Sequence, residues 1–526
     1  MTRPIDHTSI AGKAFPVTDH VPLVVLGAGA AGVTAAIEAQ RLGLRTMLVD
    51  EHPVAPGLIG IDVPWMFGER MTPAVQSQGR MLERIVAARP DLQAAFDAGV
   101  DVRLGVYAWA AFVEGPTSRE LPCRMLALAD EERSWLVGFD RMIVAAGARD
   151  LALAFPGWDR PGVMGAQGFA AAVGLYGAFS GHRIVVLGAG AAGLHCVRIA
   201  QAAGIAVAAV VDTAGTSAGA FAALGVPVHL GCAVRGVAGA IEVEGITVAP
   251  LSGGAAIEIA CDTIVSAVDV VPNVEMFDLL GCTMIFDPAR GGHVPAIDAA
   301  GRSSVAGIYA AGDCAGIGDA ALLDAAGARA SGQAAALTAA HDAGLADGAG
   351  TVVLDMGADR DAPRRRWLHA HAGPDAPALT ICRCEEVSLG DLLGVRPPRY
   401  LNYDETKFAV RDLRSLAADG PVNQDQIKRL TRAGMGPCQG RRCREQVQTL
   451  LAMQGNQLSG SIAMPSYRAP LRPLPLAVLS AHDESPEIRA NWTAWFGIAA
   501  QWLPHWEKVP ENPEFWGGRI FSDVAK

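Results

Sequence analysis

Apolar and polar positions change their period several times along the chain, and each change marks an element. VPLVVL (21–26) is a continuous apolar run that meets the glycine turn GAGAAG; an alanine-rich stretch and the apolar TMLV (46–49) follow, closed by Asp50. Short apolar runs bounded by turns read as strands buried on both faces, the kind found in parallel sheets. The same succession returns from residue 182, as HRIVVLGAGAAGLHCVRIAQAAGIAVAAVVDT. FDRMIVAAGARD (139–150) and CDTIVSAVDVVPN (261–273) each predict a strand running into a small-residue turn. GIYAAGDCAG (307–316) sets Gly312 and Asp313 between a strand and a helix. Later the period becomes helical: Ile427, Leu430, Val447, Leu450 and Leu451 have helix spacing on either side of a glycine-rich turn. The pattern predicts an α/β chain with two similar strand–turn–helix–strand units, followed by a small helical unit.

The turns carry the first candidate chemistry. Gly27, Gly29 and Gly32 form G-x-G-x-x-G with Asp50 ending the second strand; Gly188, Gly190 and Gly193 repeat it with Asp212. In such a Rossmann-like turn the first glycine allows the tight bend and the second lets backbone N–H groups approach a pyrophosphate. The third lets helix and strand pack closely, and the acid accepts from ribose hydroxyls. One such motif in an Ala/Gly-rich chain is weak evidence; two, each with its acid, are strong. Acids rather than Arg or Ser at these strand ends disfavour a 2′-phosphate, so NADP is not expected. Asp313 can reach the ribityl–phosphate region of a flavin, with an ordinary helix N-cap as the plain alternative.

Composition narrows the class. The 526 residues exceed one ordinary domain, and with 51% hydrophobic and 18% charged residues a large core is expected. A net charge of −11 gives no basic field for nucleic acid. No apolar run reaches membrane length and no signal-peptide pattern opens the chain, so a cytoplasmic protein without a membrane span is expected.

The second candidate chemistry is in the cysteines. Cys382 and Cys384 (ICRCEEV), with Cys438 and Cys443 (GMGPCQGRRC), are two close thiol pairs in short loops at helix ends. Paired thiolates converging from tight loops suit a small iron–sulfur cluster, and open thiolates point to a reducing compartment. A Cys₄ zinc site is the alternative, although such sites commonly pair cysteines as CxxC. The other six cysteines read as buried thiols, Cys314 having a chance position near a flavin. No Ser–His–Asp, HExxH or paired-carboxylate arrangement stands out, and no catalytic residue is nominated. His369 and His371 read as solvated.

Residues 21–345 resemble the two-dinucleotide-domain flavoproteins of pyridine nucleotide–disulfide reductase type. The resemblance implies two Rossmann-like domains, one inserted in the other. FAD would sit on the first glycine turn, closed by Gly312 and Asp313, and a nicotinamide nucleotide on the second. The chain lacks the redox cysteine pair of those reductases, and Ala267-Val268-Asp269 stands where a glycine is usual, as does Gly57-Leu58-Ile59 for Gly-Gly-Gln. Trp65, Met66 and Phe67 read as core or interface. The cysteine region resembles the bacterioferritin-associated-ferredoxin-like [2Fe-2S] domain, with a stretch of 53 residues (385 to 437) between Cys384 and Cys438 that is long for it. The expected organisation is an N-terminal tail (1–20), an FAD-binding domain (21–150 and 290–345), an inserted second dinucleotide-binding domain (151–289) and a surface linker (346–380). A [2Fe-2S] domain (381–458) and a Pro/Trp-rich docking tail (459–526), with Trp492, Trp495, Trp502, Trp506 and Trp516, complete it.

Taken in order, these parts resemble the α subunit of heteromeric FAD-dependent amine and opine dehydrogenases. That resemblance implies electron transfer from flavin through [2Fe-2S] to an unidentified acceptor. It also implies a D-amino-acid-oxidase-like β subunit that oxidises a C–N bond, optionally a further small subunit, FMN at a subunit interface, and NAD or ATP as candidates for the second site. A self-contained NADH-dependent FAD/[2Fe-2S] reductase is the second reading, and a sensor or scaffold with degenerate nucleotide sites the third.

Overall fold

The computed structural model describes residues 17–54, 69–115, 121–214, 219–318, 325–354, 356–373, 375–397 and 411–480. The Gly57-Leu58-Ile59 segment, Trp65, Met66, Phe67 and the five C-terminal tryptophans lie outside the described residues.

The first apolar run becomes strand Val17–Leu26, central in a seven-stranded sheet beside Thr46–Asp50 and Ser134–Val144. Its parallel partners pair Leu23, Val24 and Val25 in register with Arg141, Met142 and Ile143. Those three strand residues are fully buried, which is why the run is continuously apolar rather than alternating. The chain leaves this sheet after Val144, builds a second, and returns at Ile308–Ala310, parallel to Ser134–Val144. The second sheet is all parallel, in the order Val228–Leu230, Ala206–Asp212, Arg183–Leu187, Thr263–Ser266, Val163–Gly165. The two passages between the sheets, Ala148–Asp150 and Val270–Pro272, pair with each other as an antiparallel ribbon.

The abundance of alanine and glycine has a packing reason. Helix Ala30–Arg41 lies against helix Ala326–Asp342 so closely that a Cβ on Gly332 would stand 2.0 Å from the Ala31 carbonyl oxygen. Ala35, Ala36, Ala335, Ala336, Ala339 and Ala340 are completely buried in the same seam. Small residues there bring two helix axes together and cover the sheet with little side-chain entropy lost.

The segment expected as a surface linker carries helix Asp361–His371. Trp367 and Leu368 are buried against Phe155, and the Trp367 indole donates to the Ala154 carbonyl. His371, expected to be solvated, is buried: its Nε2 accepts from the Val234 amide (3.0 Å) and Nδ1 donates to the Trp367 carbonyl (2.8 Å). Apolar spacing at Trp367, Leu368 and His371 outweighs the run of three arginines, which hides it in the composition.

Burial pushes the His371 imidazole down to about 4, with Arg235 adding to the effect. Its folded value is below the unfolded one of about 6.5, so its contribution is present above pH ~6.5 and is lost as pH falls towards 4. We therefore expect His371→Gln to be less stable than the native chain at pH 7.5. The gap should close between pH 6.5 and 4, by on the order of 3 kcal/mol at the limit. Urea midpoints of the two proteins across that range check it; a gap independent of pH would mean the imidazole does not titrate with unfolding.

The cysteine region folds back on the second sheet's half. Hairpin Thr380–Cys382/Val387–Ser388 leads into helix Leu389–Leu393, whose Ser388 and Asp391 form a reciprocal capping box. Helices Leu413–Asp419, Gln424–Thr431 and Arg444–Gln454 follow. Ile381, Leu389, Leu450 and Leu451 share one continuous core with Leu151, Leu153, Phe155 and Val234. The proline-rich strip, expected to dock on a partner, stays on its own chain over its described part. Leu471 and Val478 are buried in the two apolar clusters on the first sheet. Among the described residues, no helix is long and apolar enough to cross a membrane.

Candidate functional site

A cavity of about 460 Å³ opens at the end of strand Val17–Leu26. Gly27, Gly29 and Asp50 line it, with Arg89, Ala146, Arg149, Glu275, Arg441, Leu471 and Arg472. Gly27 has φ +100°, and a Cβ there would be 2.2 Å from the Ala145 carbonyl oxygen. A Cβ on Gly32 would come within 1.8 Å of the Gly27 oxygen, so helix and turn touch only through glycine. A Cβ on Gly29 meets nothing within 4 Å among the described residues; this glycine leaves space at the helix N-terminus, where backbone N–H groups can stabilise phosphate oxygens. The Asp50 carboxylate accepts from the amides of Ala28 (2.6 Å) and His52 (2.7 Å) and pairs with His52 Nδ1 (2.9 Å). Burial pushes its pKa up, but His52 and the two amides more than offset that and hold it below the usual carboxylate range.

Gly312 and Asp313 stand beside this cavity rather than in its wall. Gly312 (φ +68°) approaches the same helix, a Cβ there lying 2.9 Å from Ala31 Cβ, and its amide donates to Ser331 Oγ (3.0 Å). Burial pushes the half-buried Asp313 carboxyl up to about 6, against the pull of Arg360. Cys314 points away into the core, its Sγ 3.1 Å from the Val144 carbonyl oxygen.

The second turn repeats the first closely. Gly188 has φ +110°, a Cβ on Gly193 would be 2.0 Å from the Gly188 oxygen, and Gly190 faces open space. Asp212 accepts from the amides of Ala189 and Ala214, each at 2.7 Å. It differs at Asp269, the residue standing in the usually glycine-bearing segment. Asp269 is buried and bound by Arg360 (2.6 Å) and Arg364 (2.8 Å) of the helix 361–371 region.

The four candidate thiols come together although 53 residues separate the pairs. Cys382 and Cys384 Sγ are 3.9 Å apart, Cys384 and Cys438 are 3.7 Å apart, and Cys443 contacts Cys382. The Gly434 amide points at Cys382 Sγ (3.5 Å), and a Cβ on Gly436 would be 2.4 Å from Cys384 Sγ. Contact with Cys382, with burial, pushes the Cys384 thiol up to about 11, so without a bound cation these groups stay neutral. Cys438 and Cys384 also act electrostatically on Cys443, so the four thiols form one cluster, although among the described residues no three His, Cys, Asp or Glu side chains are placed to hold a metal ion. Four thiols are a donor set that suits iron or zinc alike.

A charged cluster that sequence reasoning missed joins the cavity to the cysteine loop. Arg149 donates to the Arg441 carbonyl (2.9 Å), to Asn273 Oδ1 (3.2 Å) and to Glu445 (2.7 Å), and pairs with Glu275 (2.9 Å). Arg444 pairs with both glutamates and donates to the Tyr467 hydroxyl. All four charged side chains are less than a tenth exposed. Against burial, Arg149, Arg444 and Arg441 hold the Glu275 carboxyl at about 2. The arginines of GRRCRE were visible in the sequence, but not the partners, Arg149 nearly 300 and Glu275 nearly 170 residues upstream.

Two Rossmann-like sheets joined by a ribbon, with glycine turns at matching strand ends, are the fold of an FAD-dependent oxidoreductase of the two-dinucleotide-fold class. The chain belongs to the pyridine nucleotide-disulphide oxidoreductase family, whose profile matches residues 21–344. Residues 400–483 match the sarcosine oxidase A3 domain. Over 504 residues the chain is 26% identical to the A subunit of opine oxidase from Agrobacterium tumefaciens (strain Ach5), covering 89% of this chain and 93% of that one. It is 28% identical over 479 residues to the HcnB subunit of hydrogen cyanide synthase from Pseudomonas aeruginosa, covering 80% and 90%. The alpha subunit of sarcosine oxidase from Corynebacterium sp. (strain P-1) is 26% identical over 537 residues, with 96% of this chain and 51% of that one covered. L-proline dehydrogenase from P. horikoshii shares the fold, at TM-score 0.60 and 18% identity over 89% of this chain and 81% of that one.

Proposed function

We propose that this chain is the electron-transferring subunit of a heteromeric dehydrogenase that oxidises the C–N bond of a secondary amine or amino-acid derivative, opine-, proline- or glycine-like. Gly27, Gly29, Gly32 and Asp50 hold FAD, with Gly312 and Asp313 closing its side, and Cys382, Cys384, Cys438 and Cys443 hold a [2Fe-2S] cluster. Bound flavin accepts a two-electron equivalent and can release electrons singly, and such a cluster carries one at a time. The observation that carries the reading is the contact between the two sites: Arg441, two residues before Cys443, lines the cavity and accepts Arg149 on its carbonyl. The chain's own residues bind and orient the cofactor here, and oxidation of the amine is assigned to a D-amino-acid-oxidase-like β subunit. FMN at the subunit interface, a further small subunit, an unidentified acceptor and a cytoplasmic setting complete the proposal. The relatives named as subunits of opine oxidase, sarcosine oxidase and hydrogen cyanide synthase support it.

The second reading, an NADH-dependent reductase, is favoured by the intact turn at Gly188, Gly190, Gly193 and Asp212. Asp269, occupied by two arginines, weighs against nicotinamide next to it; NAD and ATP both remain candidates for that turn. One preparation separates the readings. Coexpressed with its genomic neighbours, the chain should copurify with a flavoprotein and show flavin bands with a visible iron–sulfur shoulder. It should contain two irons per chain and oxidise NADH poorly with an artificial acceptor. Cys443→Ser should lose the shoulder and most of the iron while keeping the flavin bands. Rapid NADH oxidation by the isolated chain would decide for the reductase, and stoichiometric zinc without iron would remove the electron-transfer role.

A further inference from the structure

Cys382 and Cys384 stand on a hairpin too short to fix them by itself. Its ladder pairs Thr380 with Ser388 and Cys382 with Val387, and Cys384 lies in the turn beyond. Four thiols serve one centre only when both pairs are held in a fixed relation, so the position of Cys384 has to be set from outside the hairpin.

Two side chains from the other thiol-bearing segment hold the hairpin, one at each end of Cys382-Arg383-Cys384. Gln446 stands three residues after Cys443, in the first turn of helix Arg444–Gln454, and is fully buried. Both ends of its amide are used. Its Oε1 accepts from the Ala154 amide (2.9 Å), and its Nε2 donates to the carbonyl of Ile381 (2.6 Å), the residue before Cys382. Arg432 stands six residues before Cys438. Its Nε donates to one carboxylate oxygen of Glu385 (2.6 Å), the residue after Cys384, and its Nη2 reaches the other (3.4 Å). Glu385 is buried and Arg432 is partly exposed, so the inner contact is neutral and dry while the outer one is charged and near the surface.

The backbone at Arg432 points the same way. It ends helix Gln424–Thr431 with φ +64°, in the left-handed region where glycine or asparagine is favoured. A strained conformation kept by a long side chain marks a place where that side chain is used. On the same loop Gly436 makes room for the hairpin, since a Cβ there would be 2.4 Å from Cys384 Sγ and 3.2 Å from Glu385 Cγ.

Resting on the reading that the four thiols hold a metal centre, we infer that Gln446 and Arg432 are its positioning residues. Neither is a ligand. Together they clamp the Cys382–Cys384 segment against the Cys438–Cys443 loop, and they set how long the metal is kept.

The test is metal loss from the loaded full-length protein, followed with a ferrous chelator for iron and a zinc-binding dye for zinc. Melting of the metal-free proteins reports folding separately. Arg432→Gly suits the backbone, so its melting temperature should equal or exceed that of the native chain. Its metal should nevertheless leave about tenfold faster, the scale on which outer-shell partners act. Arg432→Lys should recover part of this, keeping the charge without the fork, and Glu385→Ala should match Arg432→Gly. Gln446→Met fills the same space without the two hydrogen bonds and should also lose metal faster. Native rates of loss in both Arg432→Gly and Glu385→Ala overturn the inference. So does faster loss in Arg432→Gly that comes with a lowered melting temperature of the metal-free protein, because the role is then structural. A native chain that takes up neither iron nor zinc on reconstitution overturns the reading of the thiols and this inference with it.

Discussion

Replacing Arg149 by methionine is expected to destabilise the protein by about 3–5 kcal/mol, the effect of removing one partner from a buried ion cluster. Methionine preserves much of the volume, so the loss is electrostatic. Glu275 and Glu445 would keep their burial and lose one of their two arginines, while the Arg441 carbonyl and Asn273 lose a donor. Arg444 stays in contact with both carboxylates but cannot reproduce the planar fork that ties them to the cavity wall. Arg149→Lys keeps the charge without the fork and should fall between the two. The cluster also sets an acid limit. Glu275 is held near 2 when folded, below its unfolded value near 4.5, so its stabilisation is complete above the latter and is lost as pH falls through the former. In Arg149→Met the folded value rises towards the unfolded one, so that window narrows and less stability is lost across it. Urea unfolding at pH 7.5 and near pH 3 measures both effects; a loss under 1 kcal/mol at neutral pH would show that Arg444 alone neutralises the site.

Gly29→Ala should leave the fold intact and weaken FAD by a hundredfold or more. An added Cβ meets nothing within 4 Å among the described residues, so the flavin-free chain should stay folded. The methyl group would instead occupy the space through which backbone amides approach a pyrophosphate. Gly32→Ala makes the complementary case, because its Cβ would lie 1.8 Å from the Gly27 oxygen and the turn itself must open. The two substitutions should therefore separate: both lose flavin, but only Gly32→Ala lowers the melting temperature of the flavin-free protein. Flavin content after gel filtration, with melting curves, reads the pair. A Gly29→Ala protein that kept its flavin would mean the cofactor does not lie across this turn.

What could be read from the sequence was what local geometry demands. Gly27 and Gly188 need positive φ, Gly32 and Gly193 need the absence of a Cβ, and Asp50 and Asp212 end their strands. Such requirements fall within about 25 residues of chain and so leave a pattern. The thiols were legible for a related reason, since paired spacing is itself the signal. The Arg149 cluster was not, because its members lie at 149, 275, 444 and 445 and only the fold makes them neighbours. Helix Asp361–His371 was hidden by its arginines, two of which turn out to be occupied inside the protein: Arg364 binds Asp269, and Arg365 binds Asp361 and the Gln457 carbonyl. The strip's destination was illegible on principle, as a proline-spaced extended segment has no amphipathic period to say which surface it lies on.

The core shared by the cysteine region and the second sheet's half has a consequence for how such a chain can change. Ile381, Leu389, Leu450 and Leu451 share one apolar interior with Leu151, Leu153 and Phe155. Cut out as a fragment, residues 381–458 would present that face to water; grafted onto another nucleotide-binding fold, they would meet a surface of the wrong shape. Substitutions on one side of the seam therefore need answering changes on the other, and the two parts should melt in a single transition and be inherited as one piece.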